Sequence, residues 1–386
     1  MSDEIIVHEF RPLFLTVENI GPFQGKPYTV DFTTSDNEPC NFFLLISENG
    51  RGKTTLLETM VDLVSLLSTS NGLPLKMLRE ELKKDTGRAQ IDFFFKYNFS
   101  GSSTKAMIFS IEAGKRKHNP LKDWAEDEVQ IFSARNQETH IWLNRSTKQE
   151  KWHRRNKVNI GPQSGRLEMF ADFAQKARGQ SPGQTENNPP TILFFPDNRG
   201  IPPADSFGNR SISQPSNWRY QLVHQFGLER GWNRSLDNML VWLSWLDDGR
   251  LEKAKQMVND WAFKDTNKVL EGIRKEPPEA VVNNNGVKHR LDLLSGGERN
   301  LVQLCLRLGA HMTQNTIVLI DELDLHLHIK WQHRLLNRLK GMVKENPGLT
   351  VIATTHSKEI IEAFASDLKE EGLRKGGQII DLDTDR

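Results

Sequence analysis

Continuous apolar runs that alternate with amphipathic segments are the main pattern in the last hundred residues of the chain. The runs TIVLI (316–320) and LTVIATT (349–355) are typical of strands that are buried on both faces. An earlier run, NFFLLI (41–46), precedes a segment that places Leu56, Met60 and Val64 on one helical face. Strands that alternate with helices in this way predict an α/β fold built on a parallel sheet.

The middle of the chain has different patterns. The segments AQIDFFFKYNF, KAMIFSIEA, EVQIFSA and THIWLN predict strands of an antiparallel sheet that flanks the parallel one. Residues 217–273 have helical spacing and carry five tryptophans that we expect in the core, without the sustained heptads of a long coiled coil. The predicted segments are an N-terminal lobe (1–143), a basic loop-like insert (144–190), a Trp-rich helical region (191–290) and a C-terminal lobe (291–386).

Composition limits the class of protein without naming a partner. The 386 residues carry a formal net charge of +1, so overall charge does not favour a nucleic-acid or membrane surface. Two cysteines, Cys40 and Cys305, are too few for a disulfide framework and are expected to be buried thiols in a reducing compartment. The chain opens without a signal-like apolar core and has no run long enough for a membrane helix, so we expect a cytoplasmic protein.

The stretch SENGRGKTT (47–55) has the glycine and lysine spacing of a phosphate-binding loop between a strand and a helix. Ser47 stands where such loops usually have their first glycine. A serine at this position would be unfavourable if the backbone there needs a positive φ angle. Lys53 would reach the γ-phosphate of ATP, and the Thr54 hydroxyl would bind Mg²⁺. The residues expected to contact ATP here are Asn49, Gly50, Arg51, Gly52, Lys53, Thr54 and Thr55.

A pair of adjacent carboxylates ends the apolar strand NTIVLIDE. Because this strand belongs to the same predicted sheet, Asp321 and Glu322 are expected beside the phosphate loop. Asp321 would hold Mg²⁺ through water, and Glu322 would act as the general base toward the attacking water. Taken alone, the pair also fits an acidic turn in solvent.

The segment LLSGGERN places Ser295, Gly296, Gly297 and Glu298 at the start of an amphipathic helix, where amides and a hydroxyl can bind an anion. It resembles the signature motif of ABC-type ATPases. This resemblance implies a head-to-tail dimer in which the motif of one subunit contacts the ATP bound by the other. His356, at the end of VIATTHS, resembles the switch histidine of that family, which contacts the γ-phosphate.

The start of the chain, LTVENIGPFQGKPYTVDF, resembles the SMC and RecF group, whose members act on DNA. DELDLHLHIKWQHRLLNRL resembles a segment of OLD-related bacterial ATPases, several of which belong to anti-phage defence modules such as Septu and PARIS. The resemblance implies that Asp324 lies between the two active sites of a dimer. It also favours His326 and His328 as interface or sheet-facing residues, although their spacing would also suit a metal site.

Three functions are compatible with these motifs. The first is an ATPase dimer, or a higher homo-oligomer, that senses infection and controls a separate nuclease or toxin. The second is a DNA-repair clamp, and the third is a nucleotide-binding scaffold with little turnover. In the clamp, DNA phosphates or a partner would contact the insert through Lys148, Lys151, Arg154, Arg155 and Lys157. Candidates for the glutamine that ABC-type sites also use are Gln90, Gln130 and Gln137, and Arg199 is a further possible contributor.

Overall fold

A computed structural model describes residues 5–33, 40–68, 79–115, 119–132, 140–145, 152–156, 181–182, 187–208, 210–228, 231–366 and 377–383. The helices described are α1 (Lys53–Ser65), α2 (Glu80–Lys83), α3 (Glu126–Phe132), α4 (Leu236–Leu246), α5 (Arg250–Met257), α6 (Gly296–His311), α7 (Ile329–Glu345) and α8 (Lys358–Ser366). The strands described are β1 (Ile5–Glu18), β2 (Tyr28–Asp31), β3 (Phe42–Ile46), β4 (Arg88–Phe99), β5 (Lys105–Gly114), β6 (His140–Arg145), β7 (Trp152–Asn156), β8 (Thr191–Phe195), β9 (Val223–Gln225), β10 (Lys268–Lys275), β11 (Pro278–Asn284), β12 (Val287–His289), β13 (Thr316–Ile320), β14 (Thr350–Thr354) and β15 (Gln378–Asp381).

The predicted parallel sheet is confirmed, and it has the strand order β15-β3-β14-β13-β8-β9. Its central strands are buried on both faces, which explains their continuous apolar sequences. In β3, for example, Phe43 and Leu45 face one core while Phe42 and Leu44 face the other. Because parallel strands end at the same edge, the loops after β3, β8, β13 and β14 lie side by side.

The flanking sheet is also confirmed, with the order β2-β1-β4-β5-β6-β7, and it is antiparallel apart from the β5–β6 pair. It packs with α1 against one face of the parallel sheet, and their side chains form one continuous core. The helices α4 to α8 cover the opposite face. A buried Arg88–Glu112 ion pair, 2.6 Å between Nη2 and Oε1, links β4 to β5.

Two predictions for the first half of the chain are wrong. The segment EVQIFSA, which we expected to be a strand, begins in helix α3, because Val129 and Phe132 are three residues apart and pack together against Trp124. The insert is not a loop throughout, since residues 152–156 form β7 and pair with β6. Lys148, Lys151 and Lys157 lie outside the described residues.

The helical prediction for 217–273 is correct only in part. Helices α4 and α5 are present, but β9 precedes them, and residues from Lys268 onward belong to a three-stranded sheet, β10-β11-β12. Short strands that contain charged residues, such as β10, show no clear alternation of apolar and polar residues in the sequence. No described helix is long and apolar enough to cross a membrane.

The expectation of core tryptophans also holds only in part. Trp232 is buried, whereas Trp245 is 68% exposed and its ring lies 5.0 Å from that of Trp242. Cys40 and Cys305 are buried, as predicted, and burial raises the pKa of the Cys305 thiol. Because it is exposed, Trp245 lies on the surface of the helical layer and not in its core.

Two helical glycines provide a test of the packing between helices. A β-carbon on Gly309 of α6 would lie 2.5 Å from the Ala254 Cα of α5, whereas one on Gly341 of α7 would meet no atom within 4 Å. We expect Gly309→Ala to lower the free energy of unfolding by about 1–3 kcal/mol through overpacking. Gly341→Ala should raise it by about 0.5–1 kcal/mol, because alanine favours the helix. Urea denaturation of both variants measures this, and equal effects would contradict the close α5–α6 contact.

Candidate nucleotide-binding site

The stretch 47–52 forms a tight turn between β3 and α1, as a phosphate-binding loop requires. Gly50 and Gly52 have φ angles of 78° and 104°, a region in which L side chains are strained. A β-carbon on Gly52 would also lie 2.5 Å from the Phe23 ring, so only glycine fits there. The exposed Asn49 lies in the turn, and Thr54 and Thr55 lie in the first turn of α1.

Ser47 is accommodated without backbone strain. It is not among the described non-glycine residues that have a positive φ angle. Its hydroxyl accepts a hydrogen bond from the Lys53 ammonium at 3.1 Å, and its carbonyl accepts another at 2.8 Å. Ser47 therefore provides two hydrogen-bond acceptors for the Lys53 ammonium, at a position where we expected a serine to strain the backbone.

The Lys53 side chain lies against the start of the loop. Its Nζ also donates to the carbonyl of Glu48 at 3.1 Å. Burial lowers the pKa of Lys53, and the nearby carboxylate of Asp321 opposes this change. The ammonium group is thus held at the end of α1 where phosphate would bind.

A hydrogen-bond network joins the phosphate loop to the end of β13. The Thr54 hydroxyl donates to Oδ2 of Asp321 at 2.6 Å, and the Thr354 hydroxyl donates to Oδ1 at 2.6 Å. Asp321 is 1% exposed. The structure thus brings together Thr54 and Asp321, which are far apart in the sequence. Their oxygen-only donor set fits Mg²⁺, which prefers hydroxyl, carboxylate and water oxygens.

Glu322 follows in a left-handed conformation, with a φ angle of 49°. Its amide nitrogen donates to the Thr354 hydroxyl at 2.8 Å, which fixes the turn. Among the described residues, none forms a hydrogen bond with its half-buried carboxylate. The side chain can therefore accept a proton from a group placed beside the phosphate loop. Strained backbone held in this way is typical of functional sites.

Arg199, in the loop after β8, stabilises the turn formed by Asp321 and Glu322. Its guanidinium donates to the carbonyls of Asp321 at 2.5 Å, Glu322 at 2.8 Å and Pro196 at 2.9 Å. Burial lowers the pKa of Arg199 to about 10, and the site carboxylates limit the change. Arg199 therefore holds the backbone of both acidic residues, and it remains charged near neutral pH.

Asp324 links the loops after β13 and β14. Its Oδ1 accepts hydrogen bonds from the Thr355 hydroxyl at 2.5 Å and from the His356 amide at 3.3 Å. The His356 side chain is exposed at this edge of the sheet. Within the described part of the chain, no group of three or more histidine, cysteine and acidic residues is arranged to hold a metal ion, around His326 and His328 included.

The predicted signature segment begins helix α6. Ser295 is the N-cap and forms a capping box with Glu298, whose carboxylate also pairs with Lys268 at 2.6 Å. Gly296 is exposed, whereas a β-carbon on Gly297 would lie 2.8 Å from the His326 carbonyl. The helix start therefore packs against the loop after β13 and presents its first amides to solvent.

Of the three glutamine candidates, only Gln90 has a described side chain. Gln90 is buried in β4 and binds Asp92 at 2.8 Å and the Lys122 carbonyl at 2.9 Å, so its role in this fold is structural. Gln137 lies outside the described residues, as does the side chain of Gln130. Arg154 and Arg155 are in β7, but the description does not extend to their side chains.

A charged cluster on α1 has no sequence motif and could not be predicted from the sequence. Glu58 Oε2 lies 2.6 Å from Arg79 Nη1, and Asp62 accepts the Arg79 amide at 2.7 Å. Burial raises the pKa of Asp62 to about 7. Burial also raises the pKa of Glu58, and Asp321 and Asp197 add to this rise. The cluster connects the phosphate-loop helix to the segment before α2.

Comparisons with known proteins agree with this site. Residues 167–362, more than half of the chain, match the family described as "AAA domain, putative AbiEii toxin, Type IV TA system". The "Retron Ec83 probable ATPase" of Escherichia coli is 31% identical over 117 residues, which are 28% of this chain and 21% of that protein. The "Septu protein PtuA" of Bacillus thuringiensis is 45% identical over 49 residues, 13% of this chain and 12% of that protein.

The "UvrABC system protein A" of Clostridium tetani is 33% identical over 93 residues, which are 24% of this chain and 10% of that protein. The chain thus spans about a fifth or less of the length of these relatives. Among solved structures, the SMC head domain of Thermotoga maritima covers 92% of both chains with 14% identity and a TM-score of 0.35.

The family match covers the loop after β8, the signature segment, the acidic turn and His356, whereas the phosphate loop after β3 lies outside the matched residues. The chain therefore belongs to the family described as "AAA domain, putative AbiEii toxin, Type IV TA system", and it is similar over part of its length to retron ATPases and to the Septu protein PtuA.

Proposed function

We propose that this protein is a Mg²⁺-dependent ATPase that closes two ATP molecules between two copies of the chain and thereby controls a separate effector. The observation that carries the proposal is the network from Thr54 through Asp321 and Thr354 to the amide of Glu322. This network supports the proposal because it joins the loop before α1, the Asp321 carboxylate and the backbone of Glu322 in one group of hydrogen-bonded residues.

Each residue has a chemical role in hydrolysis. The amides of the loop and of the first turn of α1 bind the phosphates, and Lys53 balances the γ-phosphate charge. When bound, Mg²⁺ supplies charge neutralisation of the phosphate oxygens, and Thr54 and Asp321 would hold it. Glu322 accepts the proton of the water that attacks the γ-phosphorus, and His356 contacts the γ-phosphate. The bond to the bridging oxygen breaks, which gives ADP and phosphate.

The proposed dimer completes each site with the helix start of the other copy. Ser295 and Gly296 are exposed, and no described hydrogen bond or ion pair joins them to the phosphate loop of their own chain. They stand at the start of α6, where an anion is favoured, and the amide and hydroxyl of Ser295 donate to the Glu298 carboxylate of the same chain. Asp324 lies in the loop after β13, which contacts both this helix start and the backbone of His356. Each of the two sites would thus depend on the other.

The biological role follows from the relatives and not from the site. Matches to retron ATPases and to the Septu protein PtuA support a role in bacterial anti-phage defence. In that role, ATP-dependent closure would hold a nuclease or toxin on another polypeptide, and hydrolysis would reset the switch. The third function, a scaffold with little turnover, has less support because the Glu322 carboxylate, next to Asp321, is available for the role of base.

Glu322→Gln tests the hydrolytic part of the proposal. Without the base, we expect turnover of ATP to fall roughly 100-fold or more, while ATP binding is retained. The variant should accumulate as an ATP-bound dimer on size-exclusion chromatography with light scattering. Glu252→Gln, on an exposed face of α5, is the matched control and should behave like the unchanged protein. A Glu322→Gln protein that stays monomeric with ATP would contradict the dimer.

The second candidate function, a DNA clamp, rests on two observations. Several matches are to UvrABC system protein A, and the basic residues Arg154 and Arg155 lie on β7, at the edge of the antiparallel sheet. If this strand binds DNA, reversal of both charges to glutamate should weaken duplex binding roughly tenfold and reduce its salt dependence. Fluorescence anisotropy at several salt concentrations measures this.

The control for that experiment reverses Lys83 and Lys84, an adjacent basic pair at the end of α2. Under the clamp hypothesis this control keeps its DNA affinity. Duplex binding that is equally strong in the β7 variant excludes the strand as the DNA surface. Absence of duplex binding in the unchanged protein leaves the effector hypothesis as the better account.

A further inference from the structure

The acidic segment after β15 reaches the phosphate loop. Strand β15 pairs in parallel with β3, and Asp381 lies opposite Ile46, the last residue before the loop. The Leu382 amide donates to the Ile46 carbonyl at 3.0 Å, and the Leu382 side chain is fully buried. Asp383 is therefore delivered beside the loop by a fixed element.

The Asp383 carboxylate uses each oxygen for a different part of the loop. Its Oδ2 accepts the Glu48 amide at 2.8 Å, and its Oδ1 lies 3.1 Å from Nε of Arg51. Its own amide donates to an Asp381 carboxylate oxygen at 3.0 Å, which fixes its orientation. The Asp383 carboxylate thus links the Glu48 amide to the side chain of Arg51, the residue before Gly52.

Asp383 and Lys53 act on opposite ends of one peptide group. The peptide between Ser47 and Glu48 donates its N–H to Asp383, and its carbonyl accepts from the Lys53 ammonium at 2.8 Å. An anion at the N–H and a cation at the carbonyl both favour the same orientation of this dipole. The negative charge of Asp383 also favours the charged form of Lys53.

A carboxylate this close to a phosphate site needs a counter-charge, because like charges repel across short distances. Arg51 supplies it, since its guanidinium pairs with Asp383 and lies 3.4 Å from the Glu48 carboxylate. The Arg51 side chain is 45% exposed, so solvent screens the pair but does not remove the repulsion.

We propose that Asp383 is a positioning residue of the nucleotide site, which holds the Ser47–Glu48 peptide and through it Lys53, and that Arg51 is the counter-ion that allows a carboxylate to stand beside the phosphates of a nucleoside triphosphate. This inference rests on the proposed ATP site. It assigns Arg51 an electrostatic role through Asp383 and not a direct contact with phosphate.

A double-mutant cycle tests the inference with Arg51→Ala, Asp383→Asn and the combined variant. Asparagine keeps an oxygen for the Glu48 amide but removes the charge. We expect Arg51→Ala to raise the Kd for Mg²⁺-ATP roughly tenfold, because the carboxylate is then unneutralised. Adding Asp383→Asn should restore the Kd to within about threefold of the unchanged protein. Isothermal titration calorimetry measures the Kd, and the melting temperature reports folding.

Asp383→Ala separates positioning from a general structural effect. Because it removes the acceptor for the Glu48 amide, we expect kcat for ATP to fall roughly tenfold, whereas Asp383→Asn should retain most of kcat. A merely structural role would lower the melting temperature of both variants together and would not distinguish them. The Lys288–Glu271 pair, 3.0 Å apart on β10 and β12, provides the matched control cycle, with Lys288→Ala and Glu271→Gln.

The outcomes separate the two levels of the proposal. If the unchanged protein binds no ATP, the proposed function fails and the inference fails with it. If the unchanged protein binds ATP but the combined variant is as weak as Arg51→Ala, the counter-ion role alone is overturned, and Arg51 contacts phosphate directly. Equal loss of kcat in Asp383→Ala and Asp383→Asn overturns the positioning role.

Discussion

The hydrogen bonds of the buried Asp321 carboxylate are the interactions on which the rest of the site depends. Each of its oxygens accepts a hydroxyl hydrogen bond, one from Thr54 at the start of α1 and one from Thr354 at the end of β14. A buried carboxylate is costly unless it is fully hydrogen-bonded, so these two hydroxyls fix three segments relative to one another. The Arg199 guanidinium stabilises the same turn by binding the carbonyls of residues 321 and 322.

The sequence predicted the parts of the molecule in which local pattern and tertiary position coincide. Continuous apolar strands can only be buried on two faces, so the parallel sheet, and with it the meeting of Thr54 and Asp321, was predictable. The helix start at Ser295 was predictable as well, because a serine with glutamate three residues later satisfies the first amides of a helix.

The rest depends on contacts that have no local signal. Asp383 contacts the phosphate loop because β15 adds to the edge of the sheet next to β3, a pairing that the two adjacent apolar residues of this short strand do not indicate. The role of Gln90 was misread because its partners come from the segment after β5. Ser47 appeared to be costly because glycine is usual there, but the observed backbone does not need a positive φ angle.

The central claim is that each ATP site is shared between two copies of the chain, and subunit complementation tests it most directly. Lys53→Ala disables the phosphate loop, and Ser295→Arg disables the helix start that would serve the other copy. Each variant alone should lack ATPase activity, whereas an equal mixture should regain up to about a quarter of the activity of the unchanged protein, from mixed dimers with one intact site. A Ser295→Arg variant with full activity, or a mixture as inactive as its components, would contradict the claim.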